Sequence, residues 1–301
     1  MKQKVGILGY GNLGHAVEEI IKNSNKYELV AIFSNQKLSD LKPVSDLEKY
    51  KGKIDFLFLC GGSQNELEDH AKMAIKNFNI IECYDNHNRI KAHFKTINEM
   101  AKTNKKVALC SFGWDPGLFS FMRGLFDTLN ERTYTLWGKG TSQGHTNAIK
   151  NIEGVIDAVQ FTVPKKSEIK KIESGIAVQN GKNLHFRDCY VVAKPQNRQK
   201  IKEQIVNMKD YFEGYKTKVT FVSQEKINKI KTFSHKGQVL SLGGEMKYQL
   251  NLKSNPQFTA KVLVAFAGHI LGLLKAQNYG AYTIFDLPLA PILPKDKFLY
   301  V

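Results

Sequence analysis

Cysteine is scarce in this chain and never paired along it. Cys60, Cys83, Cys110 and Cys189 stand singly in apolar, strand-like surroundings, with no CxxC. A disulfide scaffold is excluded. The four read as reduced, buried thiols of a cytoplasmic protein, and with no His/Cys ligand spacing no metal is expected. Long apolar runs are missing too: none approaches the ~18 residues that span a bilayer. The N-terminus enters an apolar strand at residues 4–8 without a signal-peptide layout, so no membrane is expected as a partner. There is no low-complexity or Pro/Gly/Ser-rich linker. Acids are outnumbered, 28 Asp and Glu against 44 Lys and Arg, for a formal charge of +16. The lysines are nevertheless dispersed, as at Lys49, Lys51 and Lys53 or Lys226, Lys229 and Lys231, without interleaved aromatics. That pattern is a solvated basic surface, which argues against nucleic acid and favours small acids and phosphates.

What is present begins with a βαβ unit. Residues 5–8 form a buried strand, Gly9-Tyr10-Gly11-Asn12-Leu13-Gly14 follows at once as GxGxxG, and Ala16, Val17, Ile20 and Ile21 recur at helical spacing before a second strand at 29–33. GxGxxG between a strand and a helix is a dinucleotide site. Gly9 permits the tight turn, Gly11 lets a pyrophosphate approach the backbone, Gly14 lets helix and strand pack, and the helix N-terminus faces the phosphates. The second strand runs into Ser34-Asn35-Gln36-Lys37 with no carboxylate to hold a free ribose 2′-OH or to repel a 2′-phosphate, so NADP is expected rather than NAD. Further βα units follow: a strand at 54–60 into Gly61-Gly62-Ser63, a helix at 68–77, a strand from Ile80 into Glu82-Cys83-Tyr84-Asp85, a helix at 91–103, and a strand at 107–110. That strand delivers Phe112-Gly113-Trp114-Asp115-Pro116-Gly117, an acid beside a tryptophan on a turn set by two glycines and a proline. Glu82 and Asp115 thus lie just past neighbouring strand ends, where two carboxylates suit an ammonium group.

After about residue 125 the strands lengthen and alternate, at 134–137, 159–163, 188–193, 216–222, 238–242 and 245–252, as in an α+β domain with a mostly antiparallel sheet. Its first strand leads into a glycine-rich loop, Trp137 to His145, suited to a substrate. A helix at 257–276 is predicted to pack back on the nucleotide half, ahead of an extended tail with Pro288, Pro291 and Pro294. The fold class is α/β: a Rossmann-type doubly wound parallel sheet over residues 1–117, an α+β substrate-binding and dimerisation domain over 118–254, and a C-terminal helix and tail over 255–301.

GYGNLG at Gly9, YDNH at Tyr84, GWDPG at Gly113, SQGH at Ser142 and NPQFTA at Asn255 together resemble meso-diaminopimelate dehydrogenases, in the same order and along the whole chain. The resemblance implies a reversible NADP-dependent oxidative deamination at the D-centre of meso-2,6-diaminopimelate in lysine biosynthesis, giving L-2-amino-6-oxopimelate and ammonia, in a homodimer. It implies that the cofactor rests on residues 9–14, on Ser34, Asn35 and Gln36, on Gly61, Gly62 and Ser63, and on the turns with Cys83, Phe112, Gly113 and Pro116. Glu82 and Asp115 would receive the reacting ammonium beside Trp114. Trp137, Gln143 and Asn147 would line the pocket. Thr162, Arg187, His235 and Asn255 would anchor the distal end, with Arg187 as the carboxylate fork. The family usually has Asp at the position of Glu82, often Asp at Asn147, often an arginine pair at Asn35-Gln36, and tends to have Gly at Lys236. An enzyme for a related diamino acid and a non-catalytic NADP-binding regulator are the alternatives. The general base stays open among Asp115, His145 and a bound water.

Overall fold

Short apolar runs of three to seven residues become the parallel strands of the first half: β1 (Gln3–Leu8), β2 (Tyr27–Phe33), β3 (Phe56–Leu59), β4 (Asn79–Glu82) and β5 (Val107–Leu109). Helices α1 (Asn12–Lys22), α2 (Leu67–Ala74), α3 (Ile90–Thr103) and α4 (Leu118–Leu129) follow β1, β3, β4 and β5. This computed structural model describes all residues except 1, 37, 39, 64, 65, 180, 210, 295 and 301. It divides into two units, one formed by Met1–Phe121 with Pro256–Val301 and one by Met122–Asn255.

In the first unit the strands lie in the order β2-β1-β3-β4-β5, all parallel, so the sheet reverses its direction of growth between β1 and β3. The strands have apolar residues on both faces. Val5, Ile7, Phe56, Phe58, Val107 and Leu109 pack with α1 on one side, and Leu57, Leu59, Ile80 and Ala108 pack with α2 and α3 on the other. Each such side chain contributes about 1.5–3 kcal/mol on burial, which is why near-continuous apolar strands settle in a covered parallel sheet.

The second unit carries β6 (Thr133–Trp137), β7 (Gly140–Thr141), α5 (Gln143–Lys150), β8 (Val155–Pro164), α6 (Lys166–Glu173), β9 (His185–Ala193), α7 (Arg198–Val206), β10 (Lys216–Phe221), α8 (Gln224–Ile230), β11 (His235–Ser241) and β12 (Lys247–Leu252). The single, mostly antiparallel sheet read from the sequence is two sheets, β10-β9-β8-β7 and β12-β11-β6. The β9–β10 pair is parallel, because α7 supplies the crossover that a parallel pair needs.

The chain then returns to the first unit through α9 (Asn255–Ala267) and α10 (His269–Lys275), parted at Gly268 where one helix is predicted. Val262, Leu263, Phe266 and Ile270 join the core beside α1, and the Tyr27 hydroxyl donates to the Val264 carbonyl at 3.2 Å. Contrary to the reading that no apolar stretch is long enough to span a bilayer, Asn255–Lys275 has that length and composition, with mean hydropathy 1.5 in its most apolar window; half of that window is buried inside the protein. The predicted extended tail instead adds a sixth parallel strand, β13 (Gly280–Tyr282), beside β5 and then turns through short 3-10 segments at Ile284–Asp286 and Ala290–Ile292.

Candidate active site

The nucleotide end is built on the reversal of the sheet. Gly9 leaves β1 at φ +97°, and a Cβ there would lie 2.6 Å from the Gly61 main-chain nitrogen. The turns after β1 and β3 therefore touch at the switch point, the crevice where open α/β sheets bind ligands. Gly11 is the N-cap of α1, no side chain caps it, and no acid stands in the first turn. The leading N–H groups around Asn12, Leu13 and Gly14 and the positive end of the helix dipole suit a phosphate. At the end of β2, Ser34 Oγ accepts the Gln36 N–H at 3.2 Å, and the Gln36 side-chain amide donates to the Tyr10 carbonyl at 3.1 Å, so this segment closes over the glycine turn. The Tyr10 ring rests on His15, with centroids 3.9 Å apart, and burial together with Glu18 pushes its hydroxyl up to about 12. Asn35 is exposed; Lys37 lies outside the described residues. Ser63 Oγ accepts the Asp85 N–H at 3.1 Å, tying the Gly61-Gly62-Ser63 turn to the turn after β4. These groups fit a dinucleotide.

Asp115 sits on a closed loop. Gly113 N–H donates to the Pro116 carbonyl at 2.9 Å, and Gly117, at φ +128°, lies so close that a Cβ would come within 2.1 Å of the Gly113 carbonyl oxygen. The loop closes only with glycine there. It leaves Asp115 half-buried with the Ser120 hydroxyl donating to Oδ1 at 3.4 Å, while Trp114 is buried against Phe119. Cys83 is half-buried and touches this loop, its Cβ 3.4 Å from the place a Gly113 Cβ would take. Phe112 is a correction: its ring is fully buried, 5.2 Å from that of Phe266, and its N–H donates to the Glu82 carbonyl, so its main-chain carbonyl alone is left to meet a cofactor.

Glu82 is the larger correction. The sequence reading points it outward beside Asp115, but it is 0% exposed. Its Oε1 lies 3.1 Å from His93 Nε2, and its Oε2 accepts the Tyr84 N–H. The Cys110 thiol also hydrogen-bonds to the carboxylate, and burial plus that negative charge push the thiol well above its usual range. A side chain one methylene longer than aspartate turns back from the strand end to meet a buried imidazole. The ligand atoms of Glu82, His93 and Cys110 lie within 4.8 Å of one another. The Glu82 carboxylate already accepts the Tyr84 N–H and the Cys110 thiol and faces His93, which makes a closed hydrogen-bond cluster.

In the second unit the strand register assembles a polar row. Thr162 pairs with Arg187, Gly140 pairs with Thr162, and the His235 ring lies against Gly140, where a Cβ would come within 2.5 Å of the ring. Arg187 is 7% exposed, donates from Nη1 to Thr162 Oγ1, and stacks 4.0 Å over the Tyr215 ring. Among the described residues no carboxylate pairs with it, and its Nε has no acceptor. Burial pulls its pKa below the ordinary value. Gln160 Oε1, Thr141 Oγ1 and Gln143 Nε2 are also buried without a hydrogen-bond partner. Such atoms are costly unless a ligand meets them.

Around the row, the Trp137 N–H donates to His185 Nε2 at 2.8 Å, and burial with the nearby Arg187 charge pulls His185 down to about 4. His235 Nδ1 lies 2.8 Å from the Lys236 carbonyl, and Asn255 is half-buried at the start of α9. Asn147 is exposed on α5. His145 Nδ1 is 2.7 Å from the Ser142 hydroxyl that caps α5, and its ring packs on Tyr211 and Phe212. Sequence reasoning missed His93, Gln160, His185 and Tyr215. Gln160 was within reach, because alternation along β8 puts it on the same face as Thr162.

Residues 113–255 match the family described as the diaminopimelic acid dehydrogenase C-terminal domain. The chain is 38% identical over 315 residues to the meso-diaminopimelate D-dehydrogenase of Ureibacillus thermosphaericus, covering 98% of this chain and 97% of that protein. It is similar in structure to the Corynebacterium glutamicum DAP dehydrogenase in complex with DAP, with TM-score 0.91, 33% identity and coverage of 98% and 97%. It is also similar to an engineered D-amino acid dehydrogenase bound to NADP+, with TM-score 0.90, 32% identity and coverage of 99% and 98%.

Proposed function

The chain belongs to the meso-diaminopimelate D-dehydrogenase family of oxidoreductases, and from that premise we propose that it deaminates meso-2,6-diaminopimelate oxidatively at the D-centre with NADP. The products are L-2-amino-6-oxopimelate and ammonia, the reaction is reversible, and it serves diaminopimelate and lysine biosynthesis in the cytoplasm, in a homodimer. One observation carries the reading: the buried Arg187 guanidinium, bonded to Thr162 and lacking a carboxylate partner among the described residues, is a receptor for a substrate carboxylate.

Bound NADP supplies the hydride acceptor; the chain supplies position and charge. The hydride leaves the D-centre carbon with the C–H electron pair, the amine loses a proton, and water hydrolyses the resulting imine to ketone and ammonia. Asp115 holds the reacting ammonium beside Trp114. Arg187, Thr162, His235 and Asn255 hold the distal carboxylate and amine, with Trp137 and Gln143 lining the path. The turns at Gly9–Gly14, Ser34–Gln36 and Gly61–Ser63 hold the cofactor.

The test is a panel of meso-, LL- and DD-diaminopimelate and simple D-amino acids, assayed for reduction of NADP and of NAD. Turnover of the meso compound with NADP, and none of the LL isomer, is expected. Turnover of a different diamino acid alone would redirect the substrate assignment, and cofactor binding without any turnover would overturn the enzyme reading.

A further inference from the structure

Glu82 ends β4, the strand beside the one that delivers the Asp115 loop, yet nothing about its setting suits contact with a substrate. It is wholly buried, with its oxygens engaged by His93 Nε2 and the Tyr84 N–H. The partner is itself buried: His93, in α3, is 3% exposed and lies face to face with the Tyr84 ring, with centroids 4.1 Å apart and planes 17° apart.

This pair connects directly to the loop that carries Asp115. The Glu82 carbonyl accepts the Phe112 N–H at 2.8 Å, and the Tyr84 carbonyl accepts the Ser111 hydroxyl at 2.9 Å. Those two bonds flank Ser111, which sits at φ +63°, a left-handed conformation that a residue with a side chain adopts only when its surroundings impose it. From Ser111 the chain enters the Gly113–Gly117 closure and presents Asp115. A helix, a strand end and the loop are thus joined in sequence: buried hydrogen bonds link His93 to Glu82 and residues 82–84 to residues 111–112, and the chain through the Gly113–Pro116 closure carries on to Asp115. His93 and Tyr84 lie outside every group assigned above to cofactor or substrate.

We infer that Glu82 and His93 are a positioning pair, which fixes the Ser111–Pro116 backbone and acts on hydride transfer through Asp115 without touching the substrate. This rests on the reading of Asp115 as the ammonium partner. It accounts for a glutamate at the strand end: the longer side chain spans to α3, which a shorter acid pointing outward would not.

The experiment is a double-mutant cycle on the full chain with NADP and meso-diaminopimelate. His93→Ala should lower kcat by roughly tenfold or more, leave the Kd for NADPH within about twofold, and raise the primary deuterium isotope effect for substrate deuterated at the D-centre, because a misplaced C–H makes hydride transfer more rate-limiting. His93→Gln, which can still donate to Glu82, should recover most of the rate. Glu82→Gln keeps the shape and should stay within about tenfold of wild type, whereas Asp115→Asn should not. Asp115→Asn combined with His93→Ala should be no slower than Asp115→Asn alone. Multiplicative losses in the double variant, an unchanged isotope effect in His93→Ala, or a Glu82→Gln loss as deep as that of Asp115→Asn would each overturn the inference.

A readout independent of turnover separates this from failure of the functional reading. In a Trp137→Phe background Trp114 is the one tryptophan left of two. Its emission should shift on His93→Ala and return with His93→Gln, even in a protein that turns over no diamino acid. An unshifted emission overturns the inference by itself. If His93→Ala does not fold, His93→Gln and Glu82→Gln carry the same comparison.

Discussion

A guanidinium withdrawn from water costs several kcal/mol unless an anion or strong acceptors meet it, and among the described residues Arg187 has the Thr162 hydroxyl and Tyr215 but no carboxylate. The imbalance is what a carboxylate ligand would correct. Arg187→Met keeps the length and apolar stem but removes the charge. The KM for a diamino diacid should rise in line with a loss on the order of 2–5 kcal/mol, while the Kd for NADPH stays within about twofold. An unchanged KM would remove Arg187 from the distal anchor. A basic residue on an alternating strand is ordinary in sequence, so its chemistry becomes legible only when register sets it opposite Thr162 and burial strips its solvent. The same holds for Glu82, whose outward direction was read from its place at a strand end and whose inward turn depends on His93, eleven residues on, in a helix.

At the scale of elements, the end of β2 selects the cofactor. Among residues 34–36 there is no acid; Ser34 is buried, and Gln36 folds back onto the Tyr10 carbonyl. The kcat/KM with NADP should exceed that with NAD, and a comparable or better value with NAD would contradict the assignment. Lys37, outside the described residues, is the cation nearest in sequence, so Lys37→Glu should weaken NADP more than NAD. At the head of α1, an acid would oppose the phosphate: Asn12→Asp should raise the KM for NADP by about five- to tenfold with little change in Tm, from roughly 1 kcal/mol of repulsion at a helix N-terminus. The parallel strands, the GxGxxG turn and α3 were legible because each is a local pattern of apolar period and glycine. The two-sheet second unit, the break at Gly268 and β13 were not. They depend on which distant strand a segment pairs with, and three residues such as Gly280–Tyr282 carry too little pattern to announce a strand.

For the molecule as a whole, acid stability should reflect His185. The free imidazole titrates near 6.5 and the buried one near 4, so the folded state resists the proton that the unfolded chain takes up. The stabilisation is fully present above about pH 6.5, declines as the pH falls from there, and is lost once it has fallen through about 4. It is worth on the order of 3 kcal/mol across that window. His185→Gln can still accept the Trp137 N–H through its amide oxygen. Denaturant melts between pH 4 and 7 should show a flatter acid limb for that variant, and an unchanged slope would place the titration elsewhere. Asp115 as the partner of the reacting ammonium is the centre of the mechanism, and the most direct test is NADPH formation from meso-diaminopimelate by wild type and Asp115→Asn, with Tm measured on the same preparations. Wild type should turn over. The variant should keep its Tm, since a side chain of the same shape on a half-exposed turn changes stability by less than about 0.5 kcal/mol, and should lose at least roughly a hundredfold in kcat/KM, about 2.7 kcal/mol of transition-state stabilisation. A wild type that forms no NADPH, or an Asp115→Asn variant that is fully active, would contradict it.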